Sequence, residues 1–328
     1  MLSRSPIALA AALLLTALLA PMSVADIPAD GGTLALFSFD GDVLDSSGNG
    51  RDAVLLGGSF VPTARGQGLR VGPGQPAGIS WSAHAAQLAH PYTVEMIVNA
   101  SDTSSYRKLF SFHDGADAGW YLSGGGFQAY PHPVLGQGTL APSREHYLAI
   151  VSLSPTQVEV YANGVRLGAT PAAFTAPPPQ AIFFRDDTQT SRSEQLNGIV
   201  EALRISSVAR TAEEIGRVQC ARSDVTQPEV ALDAPAAGRA YVLGAETASD
   251  LPATLVAGPV TLAASASDDC GIASVEFLVD GVSIGIATSA PYEATWTPPA
   301  PGEYLLQVVA LDLAGLAADD ARAVVALA

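Results

Sequence analysis

The sequence predicts an all-β protein made of two sandwich domains. Short apolar stretches alternate with polar residues along most of the chain, which is the period of a half-buried β-strand. Glycine and proline, 31 and 23 of the 328 residues, are scattered between these stretches without a period. Frequent turn residues of this kind favour many short strands over long helices. The chain is also long enough for two domains that each bury a core of their own.

Charge excludes two classes of partner. The net charge is −16, and no basic segment is concentrated enough to overcome repulsion by phosphate groups. We therefore expect neither nucleic acid nor an anionic membrane as a partner, and we interpret the charge as a contribution to solubility.

Residues 1–25 have the pattern of a secretory signal peptide. Arg4 supplies a positive amino-terminal region, residues 7–20 form an uncharged apolar stretch, and Ser23-Val24-Ala25 is a small-x-small cleavage site. The apolar stretch is too short to span a bilayer comfortably. We expect a mature protein that is secreted to the periplasm or the extracellular space and is not inserted in a membrane.

The first domain is predicted to occupy residues 26–221. It opens at residues 34–58 with an alternating strand and two Asp/Gly turns, LALFSFDGDVLDSSGNGRDAVLLGG. Residues 92–99 alternate like a half-buried strand, and Asn163-Gly164 is a strong hairpin signal. Thr211 and Glu214 have the spacing of a capping box, which predicts one short helix near the end of the domain.

The opening stretch is followed, in order, by five further motifs. They are YTVE at residues 92–95, EHYLAIV at 145–151, VYANG at 160–164, GIVEALRI at 198–205 and TAEEI at 211–215. Together these motifs resemble the laminin-G-like family, the concanavalin A-like jelly rolls of secreted proteins. The resemblance implies a concanavalin A-like jelly-roll sandwich. It implies little about a ligand, because function lies in sites grafted on a fold.

A polar segment at residues 222–227 is predicted to link the second domain, residues 228–328. Seven or so short strands in about a hundred residues favour an immunoglobulin-like sandwich. The segments ASDDCGIASVEFLVDG at 266–281, APYEATW at 290–296 and ALDLAG at 310–315 resemble the bacterial immunoglobulin-like domains of surface and secreted proteins. We expect this domain to act as a spacer.

The two cysteines, Cys220 and Cys270, are predicted to form a disulfide. Secretion would place them in an oxidising compartment. Cys220 lies just before the first strand of the second domain, and Cys270 lies in the turn that leaves its second strand. These two points lie at the same end of an antiparallel sandwich. Two free thiols are the alternative.

Glu201 is the most informative carboxylate. Glu201 is an even number of positions from the core-facing residues of its strand, so its side chain should also point into the core. A buried carboxylate must be paired or must bind a cation. The laminin-G-like resemblance implies a structural calcium site near the two opening turns, with Asp40, Asp45 and Asn49 as the partners of Glu201. Calcium prefers such sets of carboxylate and carbonyl oxygens. The alternative for Glu201 is an ordinary arginine pair or hydrogen-bonded position.

Acidic residues also cluster in two loops at one end of the second domain. Asp268, Asp269 and Asp312 are expected to build turns by hydrogen bonding to their own backbone. A second cation site is the alternative.

Two groups of residues in the first domain are candidates for ligand binding. The aromatic residues Trp120, Tyr121, Phe127 and Tyr130 are candidates for a sugar-stacking platform, with burial in the core as the alternative. Where a strand enters a polar loop, a candidate rim site consists of Arg185, Asp186 and Asp187.

Catalytic motifs are missing from the sequence. It has no G-x-S-x-G elbow and no E-x-D-x-x-E carboxylate strand, and its five histidines show no metal-ligand spacing. We therefore expect an exported, non-catalytic recognition protein that binds glycan or a glycosylated surface through its first domain. A structural or adhesive protein that binds other proteins is the alternative, and a glycan-active hydrolase is the third hypothesis.

Overall fold

The computed structural model describes residues 27–72, 77–112, 117–171, 178–188, 190 and 193–327. Almost all regular structure in these ranges is β-strand, as the sequence predicts. The predicted signal peptide lies outside the described residues. No helix among the described residues is both long enough and apolar enough to cross a membrane.

The first part of the chain forms a sandwich of strands closed by one α-helix. Its strands are β1 (Thr33–Phe37), β2 (Val54–Gly57), β3 (Ser59–Thr63), β4 (Gly66–Val71), β5 (Gly78–Ser80), β6 (Tyr92–Ala100), β7 (Arg107–Ser111), β8 (Gly119–Ser123), β9 (Gly126–Tyr130), β10 (Glu145–Ser154), β11 (Gln157–Ala162), β12 (Val165–Thr170), β13 (Ile182–Phe183) and β14 (Gly198–Ser206). A 3-10 helix spans Ser82–Gln87, and helix α1 spans Ala212–Ser223.

These strands make two sheets. The large sheet has the order β12-β11-β10-β6-β14-β4-β3, with β1 also paired to β14, and the small sheet has the order β2-β5-β13-β7-β8-β9. Side chains from both sheets, among them Met96 and Phe110, join one buried apolar cluster. The pairs are antiparallel, and consecutive strands such as β10 and β11 or β8 and β9 are connected by short turns.

The β11–β12 hairpin turns through Asn163 and Gly164, as predicted. Both residues have positive φ, 50° and 79°. Positive φ at both central positions is the geometry that Asn-Gly supplies at low cost and that matches the twist of the two strands.

Helix α1 covers the outer face of the large sheet. It begins with the predicted capping box, in which Thr211 accepts a hydrogen bond from the Glu214 amide. Its Ile215 and Val218 pack in a second apolar cluster with residues of the sheet, including Ile97. Strand β6 is consequently buried on both faces, and the prediction of a half-buried strand at residues 92–99 was wrong.

The second part of the chain forms a sandwich with a core of its own. Its strands are β15 (Glu229–Ala234), β16 (Ala240–Val242), β17 (Ala245–Ala248), β18 (Thr254–Ala257), β19 (Val260–Ser267), β20 (Ile272–Val279), β21 (Val282–Ala287), β22 (Tyr292–Trp296), β23 (Gly302–Asp312) and β24 (Ala317–Ala326). They form the sheets β15-β19-β22 and β17-β16-β18-β24-β23-β20-β21. Phe277 and Trp296 lie in the apolar cluster of this sandwich.

A disulfide joins the two sandwiches. Cys220, on α1, is bonded to Cys270, in the loop between β19 and β20, with an S–S distance of 2.04 Å. The predicted disulfide is confirmed. Because α1 extends to Ser223, the first two residues of the predicted linker are helical.

Candidate functional site

The outer face of the small sheet carries three tyrosines, Tyr106, Tyr121 and Tyr130, which we call the tyrosine patch. Alternation along β8 and β9 turns Tyr121 and Tyr130 outwards, since their neighbours point into the core. The ring centres are 5.5 Å apart for Tyr106 and Tyr121, 6.0 Å for Tyr106 and Tyr130, and 6.4 Å for Tyr121 and Tyr130. All three contacts are edge-to-face. Tyr106 and Tyr130 are partly exposed, whereas Tyr121 is buried.

A buried lysine supports the patch. The Lys108 ammonium lies 4.3 Å from the centre of the Tyr121 ring, a cation–π geometry. It donates hydrogen bonds to Asp187 at 2.7 Å and to the Ala118 carbonyl at 3.2 Å, and it lies 3.6 Å from Asp186. Because all three charged side chains are buried, this pairing is needed to compensate their desolvation.

The loop after β13 holds the two aspartates in place. Asp186 accepts hydrogen bonds from the Thr190 hydroxyl at 2.6 Å and from the Glu194 amide at 2.8 Å. Asp187 accepts one from the Thr190 amide at 3.3 Å. The loop is therefore tied to the lysine and, through the lysine, to the tyrosines.

Two half-buried carboxylates, Asp117 and Glu194, border the patch, and we call them the acidic border. Asp117 accepts a hydrogen bond of 3.1 Å from the Tyr121 hydroxyl. Burial raises the pKa of Glu194 to about 7, and the negative charges of Asp186 and Asp117 contribute to the increase. This region is able to offer aromatic faces and hydrogen-bond acceptors to a polar ligand.

The structure corrects two candidates of the sugar-stacking platform, since Trp120 and Phe127 are both buried in the core. Trp120 is 1% exposed and stacks on Phe110 inside the core, with ring centres 6.3 Å apart. Successive residues of a strand point to opposite faces, so Trp120 and Tyr121 cannot share one surface.

The structure brings four of the other predicted ligand-binding residues together: Tyr121, Tyr130, Asp186 and Asp187. Arg185 lies beside Gly78 of β5. A Cβ atom added at Gly78 would be 3.1 Å from the Cβ of Arg185.

Sequence reasoning missed four residues of this region, namely Tyr106, Lys108, Asp117 and Glu194. Lys108 had a signal: it follows Arg107 and directly precedes the apolar pair Leu109-Phe110 in a short, largely buried strand. A lysine buried in such a strand requires an anionic partner.

The predicted calcium residues of the opening turns form hydrogen bonds to backbone. Asp45 accepts three amide hydrogen bonds of 2.9 to 3.0 Å, from Leu36, Ser47 and Arg51. Burial alone would raise the pKa of Asp45, but these hydrogen bonds hold it below its usual value.

The remaining predicted calcium residues have similar surroundings. Asp40 accepts a hydrogen bond of 2.8 Å from the Gln67 amide, and the Asn49 side chain donates one of 2.9 Å to the Thr33 carbonyl. Glu201 is 9% exposed, at a bulge of β14. Among the described acidic, histidine and cysteine side chains, the group close enough to share an ion does not include Asp40, Asp45 or Glu201. Calcium at this position stays a prediction.

A groove, which we call the polar groove because of the polar side chains that line it, lies where β4 and β6 end and β14 begins. Its volume is about 450 Å³, and its polar lining consists of Arg70, Asn99, Ser101, Ser143 and Asn197. It contains no aromatic side chain, so it lacks the stacking surface of the tyrosine patch.

Comparison with known proteins identifies the second sandwich. Residues 228–308 match the family model described as a bacterial Ig domain. The second domain is thus of the bacterial immunoglobulin-like type. A search of curated proteins found no match to the chain.

Several solved structures are similar to part of the chain. Domain 4 of AbnA, a GH43 extracellular arabinanase from Geobacillus stearothermophilus in complex with arabinotriose, is 19% identical with a TM-score of 0.44, over 57% of this chain and 98% of that one. The CBM40 of the Ruminococcus gnavus IT-sialidase, bound to α2,3-sialyllactose, is 12% identical with a TM-score of 0.38, over 46% and 96%. The Trypanosoma rangeli sialidase in complex with the inhibitor DANA is 13% identical with a TM-score of 0.44, over 58% and 33%.

Proposed function

We propose that this chain is an exported, non-catalytic recognition protein that binds glycan through the tyrosine patch. In this proposal the first domain is a laminin-G-like jelly roll, and the immunoglobulin-like domain is a spacer. The observation that carries the proposal is the position of Tyr106 and Tyr130, partly exposed beside the half-buried acidic border.

The chemistry of the patch suits a sugar. The apolar face of a sugar ring packs on an aromatic ring, and its hydroxyl groups donate hydrogen bonds to carboxylates. Lys108 and Asp187 hold Tyr121 from below the surface, and Tyr121 contacts both exposed rings. A site held in this way loses little conformational entropy on binding, which favours affinity.

The test is binding of residues 26–328 to a broad panel of glycans and polysaccharides. For a sugar that binds, Tyr130→Ala should weaken the affinity about tenfold, equivalent to about 1.4 kcal/mol. Arg70→Ala, an exposed position in the polar groove, is the matched control and should leave the affinity unchanged.

Two results would contradict the proposal. Loss of binding with Arg70→Ala but not with Tyr130→Ala would move the site to the polar groove. A folded protein that binds no sugar of the panel would favour the adhesive alternative, in which the first domain binds other proteins.

A glycan-active hydrolase is the second candidate. It is favoured by the pKa of Glu194, about 7, beside a second carboxylate, since a carboxyl group that stays protonated near neutral pH suits a general acid. Incubation with each bound glycan, followed by analysis of reducing ends, distinguishes the candidates. Cleavage that Glu194→Gln abolishes would support the hydrolase, and an intact glycan would support recognition alone.

A further inference from the structure

Three aspartates, Asp224, Asp268 and Asp269, converge where the two sandwiches meet, and a fourth, Asp312, lies beside them. Asp224 is the C-cap of α1, Asp268 and Asp269 lie in the loop between β19 and β20, and Asp312 ends β23. One carboxylate oxygen from each of Asp224, Asp268 and Asp269 lies within 4.8 Å of the others. Calcium–oxygen bonds are about 2.4 Å long, so two ligands of one calcium ion are at most about twice that distance apart. The distances between these three carboxylates are therefore those expected for ligands of one ion.

The nearby sulfur is not a ligand. Cys270 Sγ lies in the same group of atoms, but it is bonded to Cys220 in the disulfide and has no thiolate to offer. The disulfide has a different effect: it fixes α1 beside the β19–β20 loop, and thereby keeps Asp224 next to Asp268 and Asp269.

Asp312 gives an independent indication of a ligand. Its side chain is 1% exposed, and its Oδ1 accepts a hydrogen bond of 2.8 Å from the Leu316 amide. Its Oδ2 is buried and has no hydrogen-bond partner among the described residues. The Leu313 amide donates a hydrogen bond of 3.1 Å to the Gly271 carbonyl, and Asp312 pairs with Ile272 in the register of β23 and β20, so Asp312 lies beside the loop that holds Asp268 and Asp269. A buried carboxylate oxygen without a partner is costly unless a cation or a proton satisfies it.

Asp224 and Asp268 repeat this arrangement. In each, Oδ1 holds the local backbone, through the Thr226 amide at 2.9 Å for Asp224 and the Cys270 amide at 2.8 Å for Asp268. In each, Oδ2 is a buried atom without a hydrogen-bond partner in the described part of the chain. One oxygen of each carboxylate therefore fixes its position while the other stays free for a ligand.

Within the described ranges, basic side chains do not compensate these charges. None of the ion pairs formed by the described lysines and arginines includes Asp224, Asp268, Asp269 or Asp312. Like charges held together in a partly buried site repel one another unless a cation is bound. Oxygen ligands without nitrogen or thiolate select a hard cation, and the irregular geometry of two loops and a helix end suits calcium better than magnesium, which requires a near-octahedral set.

We propose that Asp224, Asp268, Asp269 and Asp312 bind one calcium ion at the junction of the two domains. The ion bridges the end of α1 to two loops of the immunoglobulin-like domain, beside the disulfide. Calcium then stiffens the connection between the first domain and the immunoglobulin-like domain. The site is separate from the tyrosine patch, and it does not depend on the proposed function.

The test is calorimetric titration of residues 26–328 with calcium after removal of metal by a chelator. We expect binding in the range of extracellular calcium modules, with a Kd of about 0.1–1 mM. Asp312→Asn and Asp268→Asn should each weaken binding at least tenfold, and both keep the backbone hydrogen bond that the aspartate accepts. Asp233→Asn, an exposed aspartate of β15, is the matched control and should bind calcium like the unchanged protein.

A second measurement covers the case of a variant that folds poorly. Saturating calcium should raise the unfolding temperature of the unchanged protein and of Asp45→Asn, but not that of Asp312→Asn. No binding by the unchanged protein up to about 10 mM calcium would overturn the proposal. Unchanged affinity in both Asp312→Asn and Asp268→Asn, or loss of binding in Asp45→Asn alone, would also overturn it.

Discussion

Arg204 and Glu95 form a two-point ion pair inside the first domain. Arg204 Nε lies 2.7 Å from one carboxylate oxygen of Glu95, and Nη2 lies 2.6 Å from the other. The two residues face each other across the paired strands β14 and β6, and neither is more than 1% exposed. Arg210 Nε lies 3.2 Å from the same carboxylate, and the Tyr147 hydroxyl donates a hydrogen bond to it. This network of ion pairs and hydrogen bonds compensates the charge of Glu95, which is buried between α1 and the sheet.

Glu95→Ala should lower the free energy of unfolding by about 3–5 kcal/mol, because it leaves the buried Arg204 without its anion. Denaturant unfolding of the first domain measures the effect. Glu159→Ala is the control, since Glu159 pairs with the half-exposed Arg166 at 2.9 Å. The control should lose less than about 1 kcal/mol. Equal losses in the two variants would contradict the importance of the buried network.

Trp120→Ala and Tyr130→Ala should separate a core residue from a surface residue. Removal of Trp120 leaves a cavity beside Phe110 and should cost about 3–5 kcal/mol of unfolding free energy. Tyr130 is partly exposed, and its removal should cost about 1 kcal/mol or less. Denaturant titration checks both values. A large loss for Tyr130→Ala would make it a structural residue and weaken its assignment to glycan binding.

Local signals in the sequence predicted the local features of the fold. The Asn163-Gly164 turn, the capping box of Thr211 and the Cys220–Cys270 disulfide all depend on residues whose chemistry permits few alternatives. The prediction of a half-buried strand at residues 92–99, which include Glu95, failed because alternation reports the period of a strand but not what covers each face. The arginine that pairs with it is 109 positions away in the sequence.

The candidate site was predicted only in part for the same reason. Lys108 and Asp187 are separated by 79 positions, and only the pairing of strands brings them together. The error over Trp120 was avoidable, since the period of a strand already separates Trp120 from Tyr121.

Loss of the disulfide should destabilise the protein. Replacing both Cys220 and Cys270 by serine opens a loop that spans 50 positions, and a loop of this length gives about 2–4 kcal/mol of stabilisation. The unfolding transition of the immunoglobulin-like domain should move to lower denaturant. Reducing agent should shift the unchanged protein to the same midpoint and leave the double variant unaffected. Identical midpoints for the oxidised protein and the double variant would contradict the prediction.

Protonation of Glu194 should make the stability of the first domain depend on pH. The pKa of Glu194 is raised from 4.5 to about 7 in the folded protein, so the folded state binds its proton more tightly than the unfolded state. The stabilisation that comes from protonated Glu194 is therefore fully present below about pH 4.5 and is lost as the pH rises to about 7. Over that window this group should lower the unfolding free energy by about 1–2 kcal/mol, after allowance for solvent screening at a half-buried position.

Glu194→Gln should remove this part of the pH dependence, whereas Glu213→Gln, an exposed control on α1, should not. Parallel pH profiles for the unchanged protein and Glu194→Gln would show that the carboxyl group titrates normally, and would remove the support for its role as an acid.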